Sequence, residues 1–193
     1  MLYPMEPTKP NLPLNIRLIV GLGNPGSEYQ NTYHNAGRIL LHMLMENLKP
    51  DKKTRNKNFN AFRVGKTWLL EPETFMNESG IAVSEFLKQN PIEAENILVL
   101  HDESDLKAGD TRFDFGRGTA GHRGVASLLD SLGGKDFWRC RIGIRSKENE
   151  GDERQKAEEF VLRNISPKDK QEIYSSLETV SRTIEKLILN ETP

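Results

Sequence analysis

Short apolar runs alternate along this chain with stretches in which apolar residues recur every three or four positions. Runs such as Ile16–Gly21 are short, β-branched and closed by glycine, which is typical of buried strands. The pattern predicts strands at 16–21, 58–64, 67–70, 97–100, 111–115 and 138–144, with a turn at 65–66. It predicts helices at 36–48, 79–89, 124–132, near 156–162 and from 167 to about 189. Asn31 or Thr32 is expected to cap the first of these helices.

The alternation of strands and helices predicts an α/β fold with a single domain, built as a three-layer sandwich around a twisted sheet. Because a hairpin and the strand at 111–115 accompany the buried strands, we expect a mixed, mostly parallel sheet flanked by helices. The domain is expected to span residues 16–190, after a proline-containing leader at residues 1–15. A flexible leader is favoured over a peptide ligand with polyproline structure. A polar loop, with movement left open, is expected at 146–155.

The composition is that of an ordinary globular protein. Its 193 residues are 36% hydrophobic and 28% charged, which excludes a disordered chain. No apolar run approaches the roughly 20 residues of a membrane span, so no membrane association is expected. The single cysteine, Cys140, excludes an internal disulfide, and the N-terminus lacks the pattern of a signal peptide. We therefore expect a reducing, cytoplasmic location.

The charged residues are distributed unevenly along the chain. In total, 27 Lys and Arg against 28 Asp and Glu argue against a protein that coats nucleic acid through bulk charge. Residues 49–66, however, hold seven basic residues and one acid, and residues 111–145 hold seven and three, giving local charges of +6 and +4. Residues 71–110 hold ten acids and two bases. Two basic segments beside a site would attract a phosphate backbone, and the alternative is a surface of salt-bridged faces.

The sequence GLGNPG at 21–26 matches the G-x-G-x-x-G pattern of dinucleotide-binding loops. Pro25 weighs against this function, because it removes a backbone N–H from the loop that would bind phosphate. The next predicted helix also begins about ten residues too late, and no acid follows a second strand at the usual spacing. A nucleotide-binding oxidoreductase is therefore a minor alternative.

Two polar residues at predicted element ends carry candidate chemistry. His34 lies in a polar loop before a helix, where a neutral imidazole can take a proton from water as a general base. Asp102 follows a buried strand, where a carboxylate faces the ligand crevice of α/β folds and can orient a histidine. The alternatives are a capping histidine and a solvated turn aspartate. No H-x-x-x-H or H-E-x-x-H spacing occurs, so no metal site is expected.

Further polar groups come from Asn24, Asn77 and the glycine-rich, basic loop at 116–124. The alternative role of Asn77, in TFMNESG before a helix, is that of an N-cap. The loop FGRGTAGHRG would let its backbone approach a phosphate or a ribose closely. Each of these signals is weak when it is taken singly.

In combination the motifs occur in an order that resembles the bacterial-type peptidyl-tRNA hydrolases. The resemblance spans about Ile16 to Leu189 and is carried by VGLGNPGSEYQNTYHNAG, EPETFMNESG, VLHDESDLKAGD, AGHRGVASL and RCRIGI. It implies a monomeric α/β sandwich without a metal or cofactor. It also implies hydrolysis of the ester that links a peptide to the 3′ ribose of tRNA, with peptidyl-tRNA as partner, which recycles tRNA for translation.

The resemblance also implies roles for individual residues. His34 matches the general base that activates water, and Asp102 matches its orienting, charge-stabilising partner. Asn24 matches an amide that works beside them in catalysis. The other matched positions are expected to bind substrate or tRNA: Tyr29, Met76, Asn77, Arg123 and Arg141, the last through phosphate.

Three residues depart from the family pattern. Arg123 stands in place of a usual asparagine, cannot accept a hydrogen bond, and is expected to lower the pKa of His34. Asp114 stands where a lysine commonly helps to bind the 5′ phosphate of tRNA, and Tyr33 replaces a common arginine. These departures favour the alternative of a catalytically weakened RNA-binding protein on the same fold. The retained His34 and Asp102 favour the enzyme.

Overall fold

Seven strands and four helices build the part of the chain that the structure describes, which is residue 13, residues 15–146 and residues 160–190 of a computed structural model. The strands are β1 (Leu18–Gly21), β2 (Lys52–Arg55), β3 (Phe59–Val64), β4 (Thr67–Pro72), β5 (Ile97–Lys107), β6 (Thr111–Phe115) and β7 (Trp138–Arg145). The helices are α1 (Ala36–Leu48), α2 (Ser79–Gln89), α3 (Arg123–Leu132) and α4 (Pro167–Asn190). The predicted leader and the 146–155 loop lie almost entirely outside the described residues, and so do residues 156–159 of the helix predicted near 156–162.

The strands form one sheet in the order β2-β3-β4-β1-β5-β7-β6. The four central strands, β4, β1, β5 and β7, pair in parallel. At the edges β3 is antiparallel to β4, β2 to β3, and β6 to β7, so five of the seven strands run in one direction. The prediction of a mixed, mostly parallel sheet is confirmed.

The core consists of two apolar layers, one on each face of the sheet. Alternate residues of a buried strand serve opposite faces, as Ile19 and Val20 show in β1. Ile19 packs in the layer covered by α1 and α4, and Val20 in the layer covered by α2 and α3. The predicted three-layer sandwich is therefore confirmed. None of the described helices is both long and apolar enough to cross a membrane.

The sequence prediction misses one strand and ends another too early, each for a physical reason. β2 shows no apolar alternation, because its residues KKTR lie largely exposed at the edge of the sheet. β5 does not end at Leu100 but continues to Lys107, because β7 pairs with it beyond the end of β1. Asp102 thus lies inside β5 rather than after it.

The unequal lengths of β1 and β5 create the position of the site. β1 ends at Gly21, opposite Leu100, and β5 continues past it. α1 approaches β5 so closely here that a Cβ on Gly37 would lie 2.1 Å from the carbonyl oxygen of Leu100. Only glycine permits this approach, which holds the turn before α1 against the residues that follow Leu100.

Candidate active site

A crevice of about 440 Å³ opens just past the carboxyl end of β1, beside residues 102–104 within β5. Its lining includes residues that the sequence does not predict as site residues, among them Phe75 and His122. Arg141 is the predicted site residue that does not line the crevice. The other seven predicted residues are brought together here: Asn24, Tyr29, His34, Met76, Asn77, Asp102 and Arg123.

His34 lies in a 3-10 turn (Tyr33–Asn35) before α1 and is fixed from two sides. Its backbone N–H donates to the carbonyl of Val161 at 2.8 Å, and its Nδ1 lies 2.9 Å from Asp102 Oδ1. Because an ionised carboxylate can only accept, Nδ1 carries the proton and donates it. The other ring nitrogen, Nε2, keeps its lone pair, as a general base requires.

Opposing influences act on the pKa of His34. Burial, the largest of them, disfavours the imidazolium, and Arg123 lowers the pKa as the sequence predicts. The charge and hydrogen bond of Asp102 more than offset both, so the pKa of His34 lies above its ordinary value. Burial also disfavours the ionised form of Asp102, but His34 and His122 hold the pKa of that carboxyl well below its usual range. Asp102 is therefore ionised at neutral pH.

A second histidine, His122, bonds the same carboxylate oxygen. Its Nε2 lies 2.9 Å from Asp102 Oδ1. His122 is also the N-cap of α3, and its Nδ1 accepts hydrogen bonds from the backbone N–H groups of Gly124 and Val125. Nothing in the sequence assigns Asp102 as its partner. The available signal is its place directly before a helix, where a side-chain acceptor commonly caps the first turn.

Side-chain nitrogen and oxygen atoms of His34, Asp102 and His122 lie within 4.8 Å of one another, which is close enough for all three to ligate one metal ion. The hydrogen bonds do not suit a metal. Since His122 Nδ1 accepts from two backbone N–H groups, Nε2 carries the ring proton and has no lone pair to offer. A metal on His34 Nδ1 would likewise displace the proton given to Asp102. The arrangement suits proton handling better than metal binding.

His101, which precedes Asp102 on β5, is a buried residue with a different environment. Its Nδ1 lies 2.7 Å from the Asp102 carbonyl oxygen, and its Nε2 has no partner among the described residues. Burial holds the pKa of His101 well below its ordinary value, so the ring is neutral. His101 therefore packs behind the site and does not line the crevice.

The side-chain amide of Asn24 is oriented by the backbone around it. Its Oδ1 accepts from the Met76 N–H at 2.8 Å, which leaves the two N–H groups of Nδ2 for a ligand in the crevice. Asn35 holds the backbone of Asn24 through two hydrogen bonds of 2.8 and 3.0 Å. Asn35 is also the N-cap residue of α1, so the prediction of Asn31 or Thr32 at that position is wrong.

The mouth of the crevice combines apolar and amide groups. The rings of Tyr29 and Phe75 meet edge to face at 6.5 Å, and Phe75 and Leu162 are each half exposed. Asn77 is exposed beside them and does not cap α2, whose N-cap residue is Glu78. The alternative role of Asn77 as a cap is therefore wrong. Such a rim suits a ligand that has both apolar and hydrogen-bonding parts.

The model of the peptidyl-tRNA hydrolase family matches residues 18–193. This chain belongs to the peptidyl-tRNA hydrolase family. The peptidyl-tRNA hydrolase of Coxiella burnetii is 38% identical over 175 residues, which cover 90% of this chain and 91% of the relative. That of Neisseria meningitidis is 43% identical over 134 residues, which cover 67% and 70%. The crystal structure of the Acinetobacter baumannii peptidyl-tRNA hydrolase matches with a TM-score of 0.82 at 31% identity, covering 93% of this chain and 91% of that one.

Within this peptidyl-tRNA hydrolase, the three departures from the family pattern have distinct surroundings. Arg123 is the first residue of α3 and is exposed at the crevice, close enough to His34 to lower its pKa. Tyr33 is buried, donates to Asp169 Oδ2 at 2.6 Å and accepts from the Ser166 N–H at 3.1 Å. Tyr33 therefore ties the turn that carries His34 to the start of α4.

The third departure, Asp114, forms an ion pair with Arg141, the residue that is predicted to bind a phosphate group of tRNA. Arg141 Nη1 lies 2.7 Å from Asp114 Oδ2, and Arg141 Nε lies 2.9 Å from Glu103 Oε2. The Arg141 side chain is only 3% exposed, and Arg117 approaches the same Asp114 oxygen at 3.8 Å. Asp114 thus gives Arg141 an internal partner. The phosphate-binding role of Arg141 stays a prediction, and this geometry does not favour it.

Proposed function

We propose that this protein hydrolyses the ester bond between the peptide and the 3′ ribose of tRNA in peptidyl-tRNA, with His34 as the general base. The observation that carries the proposal is the 2.9 Å hydrogen bond between His34 Nδ1 and Asp102 Oδ1 inside the crevice. This bond fixes the tautomer in which Nε2 accepts a proton. The names of the relatives support the choice of substrate.

The proposed reaction uses water directly. His34 Nε2 takes a proton from water while the water oxygen bonds to the ester carbonyl carbon, and the carbonyl becomes an oxyanion. The imidazolium, stabilised by Asp102, then returns the proton to the 3′ oxygen of the ribose as the ester C–O bond breaks. No covalent intermediate with the protein is needed, and no G-x-S-x-G nucleophile motif occurs in the sequence.

The remaining crevice residues are proposed to bind the substrate. The free Nδ2 of Asn24 is placed to donate to the carbonyl oxygen, an interaction that is typically worth about 10²–10³ in rate when it is strongest in the transition state. Asn77 and Arg123 add polar groups to the lining of the crevice, and their proposed role is to bind the ribose and the peptide of the substrate. Tyr29 and Met76 supply apolar surface for the peptide or the terminal base.

The hairpin of β2 and β3 is proposed to contact the phosphate backbone of the tRNA. None of the seven basic residues of 49–66 forms an ion pair with a carboxylate in the part of the chain that the structure describes. Three of them lie over aromatic rings instead. Lys52 and Arg63 lie 5.8 and 5.4 Å from the centre of the Trp68 ring, and Lys53 lies 5.0 Å from the centre of the Phe62 ring. Such uncompensated charge attracts a polyanion.

The proposal includes a monomeric enzyme in the cytoplasm. The residues used in the proposed reaction meet in a crevice that this chain forms by itself. The single cysteine is buried, and burial raises the pKa of the Cys140 thiol, which keeps it unreactive. Both observations are compatible with a monomer that acts on RNA in a reducing compartment.

The test is a hydrolysis assay on a peptidyl-tRNA with the His34→Ala variant. We expect the release of peptide to fall by at least about 10²-fold, because the variant lacks the base, while the melting temperature stays near that of the wild type. In the wild type, kcat/KM should rise with pH through the pKa of His34, with a midpoint above 6.5, since the neutral form is active.

His42→Ala is the matched control, because His42 lies in α1 outside the crevice and is half exposed. It should retain turnover. Near-normal hydrolysis by His34→Ala would exclude the proposed mechanism. Tight binding of peptidyl-tRNA by a wild type that releases no peptide would instead favour the RNA-binding alternative.

A further inference from the structure

His122 joins the backbone of α3 to the carboxylate that orients the proposed base. Its Nδ1 accepts from the Gly124 and Val125 N–H groups at 3.1 and 3.2 Å, and its Nε2 lies 2.9 Å from Asp102 Oδ1. A ring nitrogen that accepts two N–H groups cannot carry a proton itself. The proton of His122 therefore sits on Nε2, and the ring is neutral and donates to Asp102.

We propose that His122 is a positioning residue for the reaction: by donating to Asp102 Oδ1 it fixes the carboxylate towards His34 and limits how strongly His34 holds a proton. The inference builds on the proposed function, because it assumes that His34 is the base. The same oxygen accepts from both histidines, at 2.9 Å each. A carboxylate oxygen that accepts from two donors stabilises the proton on each donor less than it would stabilise the proton on one donor alone.

The cap geometry makes this arrangement rigid. Protonating Nδ1 of His122 would break two hydrogen bonds to the first turn of α3 and place a positive charge at the positive end of the helix. The neutral tautomer is thus favoured while Asp102 stays ionised. The rings of His34 and His122 lie 4.9 Å apart on either side of the shared carboxylate oxygen.

The other charged and titratable groups around His34 do not replace this contact. Asp102, Glu103 and the neutral His101 belong to β5, and Arg123 belongs to α3. Glu103 is engaged by Arg141, and Arg123 lowers the pKa of His34 through its charge. His122 is the one among these side chains that donates to the same Asp102 oxygen as His34.

The test uses His122→Asn, because asparagine is a preferred N-cap but is too short to reach Asp102. In this variant α3 stays capped, but Asp102 no longer accepts a hydrogen bond from residue 122. The Asp102 carboxylate should therefore stabilise the imidazolium of His34 more strongly. We expect the pKa of His34 measured by NMR titration, and the acid limb of kcat/KM, to move about one pH unit higher with little change in melting temperature. At pH 6.5 and below the variant should be about 10-fold less active than the wild type.

An unchanged pKa of His34 and an unchanged acid limb in His122→Asn would overturn the proposal. A second measurement needs no variant: ¹⁵N shifts of wild-type His122 should show an unprotonated Nδ1 and a protonated Nε2 across the range in which His34 titrates. A charged His122, or a proton on Nδ1, would overturn it as well. If the wild type shows these shifts but hydrolyses no peptidyl-tRNA, the proposed function fails and the placement of the proton stands.

Discussion

Replacing Arg139 and Arg141 in turn by methionine tests how β7 accommodates two guanidinium groups on one face. Arg139 is 1% exposed, and none of its three guanidinium nitrogens has a partner among the described residues. Arg141, two positions along the strand, is bonded to Glu103 and Asp114. Burial and the neighbouring Arg141 lower the pKa of Arg139, as expected for a cation without compensation.

The two substitutions should change the free energy of unfolding in opposite directions. Arg139→Met removes an unpaired buried charge and keeps most of the packing volume, so we expect stabilisation by about 1–4 kcal/mol. Arg141→Met leaves the buried carboxylate of Glu103 without its partner and should destabilise by about 3–5 kcal/mol. At about 2–4 °C per kcal/mol for a chain of this size, both shifts in melting temperature are measurable.

The assay is thermal and urea denaturation at pH 7, with Lys135→Met as a control at an exposed position. The control should change the free energy of unfolding by no more than about 0.5 kcal/mol. If Arg139→Met destabilised the protein as much as Arg141→Met, the Arg139 guanidinium would have a binding partner in solution, and the electrostatic reasoning would be refuted.

Three further predictions concern the site and its surroundings. Gly37→Ala should destabilise by about 1–3 kcal/mol and lower kcat/KM, because its Cβ would press on Leu100 and move His34 from Asp102; Gly134→Ala, with nothing within 4 Å, is the control for melting temperature and activity. In a hydrolysis assay, Arg123→Asn should preserve or raise activity and Arg123→Ala should lower it, whereas wild-type activity in the alanine variant would reduce Arg123 to a surface charge. Replacing Lys52, Lys53 and Arg55 together by glutamine should lower the salt dependence of log KM for peptidyl-tRNA by about 2 to 3, and a double Lys88 and Lys135 variant should leave it unchanged.

The fold could be predicted from the sequence wherever the burial of a helix or strand produces a recognisable pattern of apolar residues. The residues of β1 and of the first half of β5 are buried on both faces and read as continuous apolar runs. β2 fails this criterion because its lysines face solvent, and it is a strand only because β3 supplies hydrogen bonds along its edge. The extension of β5 to Lys107 likewise depends on pairing with β7, which no local pattern reports.

The candidate site was predictable where chemistry alone marks a residue. His34 stands out as a histidine in a polar loop and Asp102 as a carboxylate directly after an apolar run, and the fold brings their side chains to 2.9 Å. His122 does not stand out, because its task follows from backbone N–H groups and a carboxylate that meet only in three dimensions. Arg141 matches a phosphate-binding position in sequence, but its surroundings are set by Asp114 across the strand pair.

Two basic segments and an acidic one between them contribute to the near-zero net charge, and the fold treats the two basic segments differently. In 111–145 part of the local charge of +4 is compensated inside the protein, because Arg141 bonds Glu103, which lies outside this segment. In 49–66 the local charge of +6 meets no described carboxylate as an ion-pair partner. β2 runs in the same direction as β4 and β1. Its carboxyl end and the turn after it therefore lie at the same end of the sheet as the carboxyl end of β1, where the crevice opens. A polyanion whose end enters the crevice should therefore be attracted to the side of the β2–β3 hairpin rather than to the side of β6 and β7.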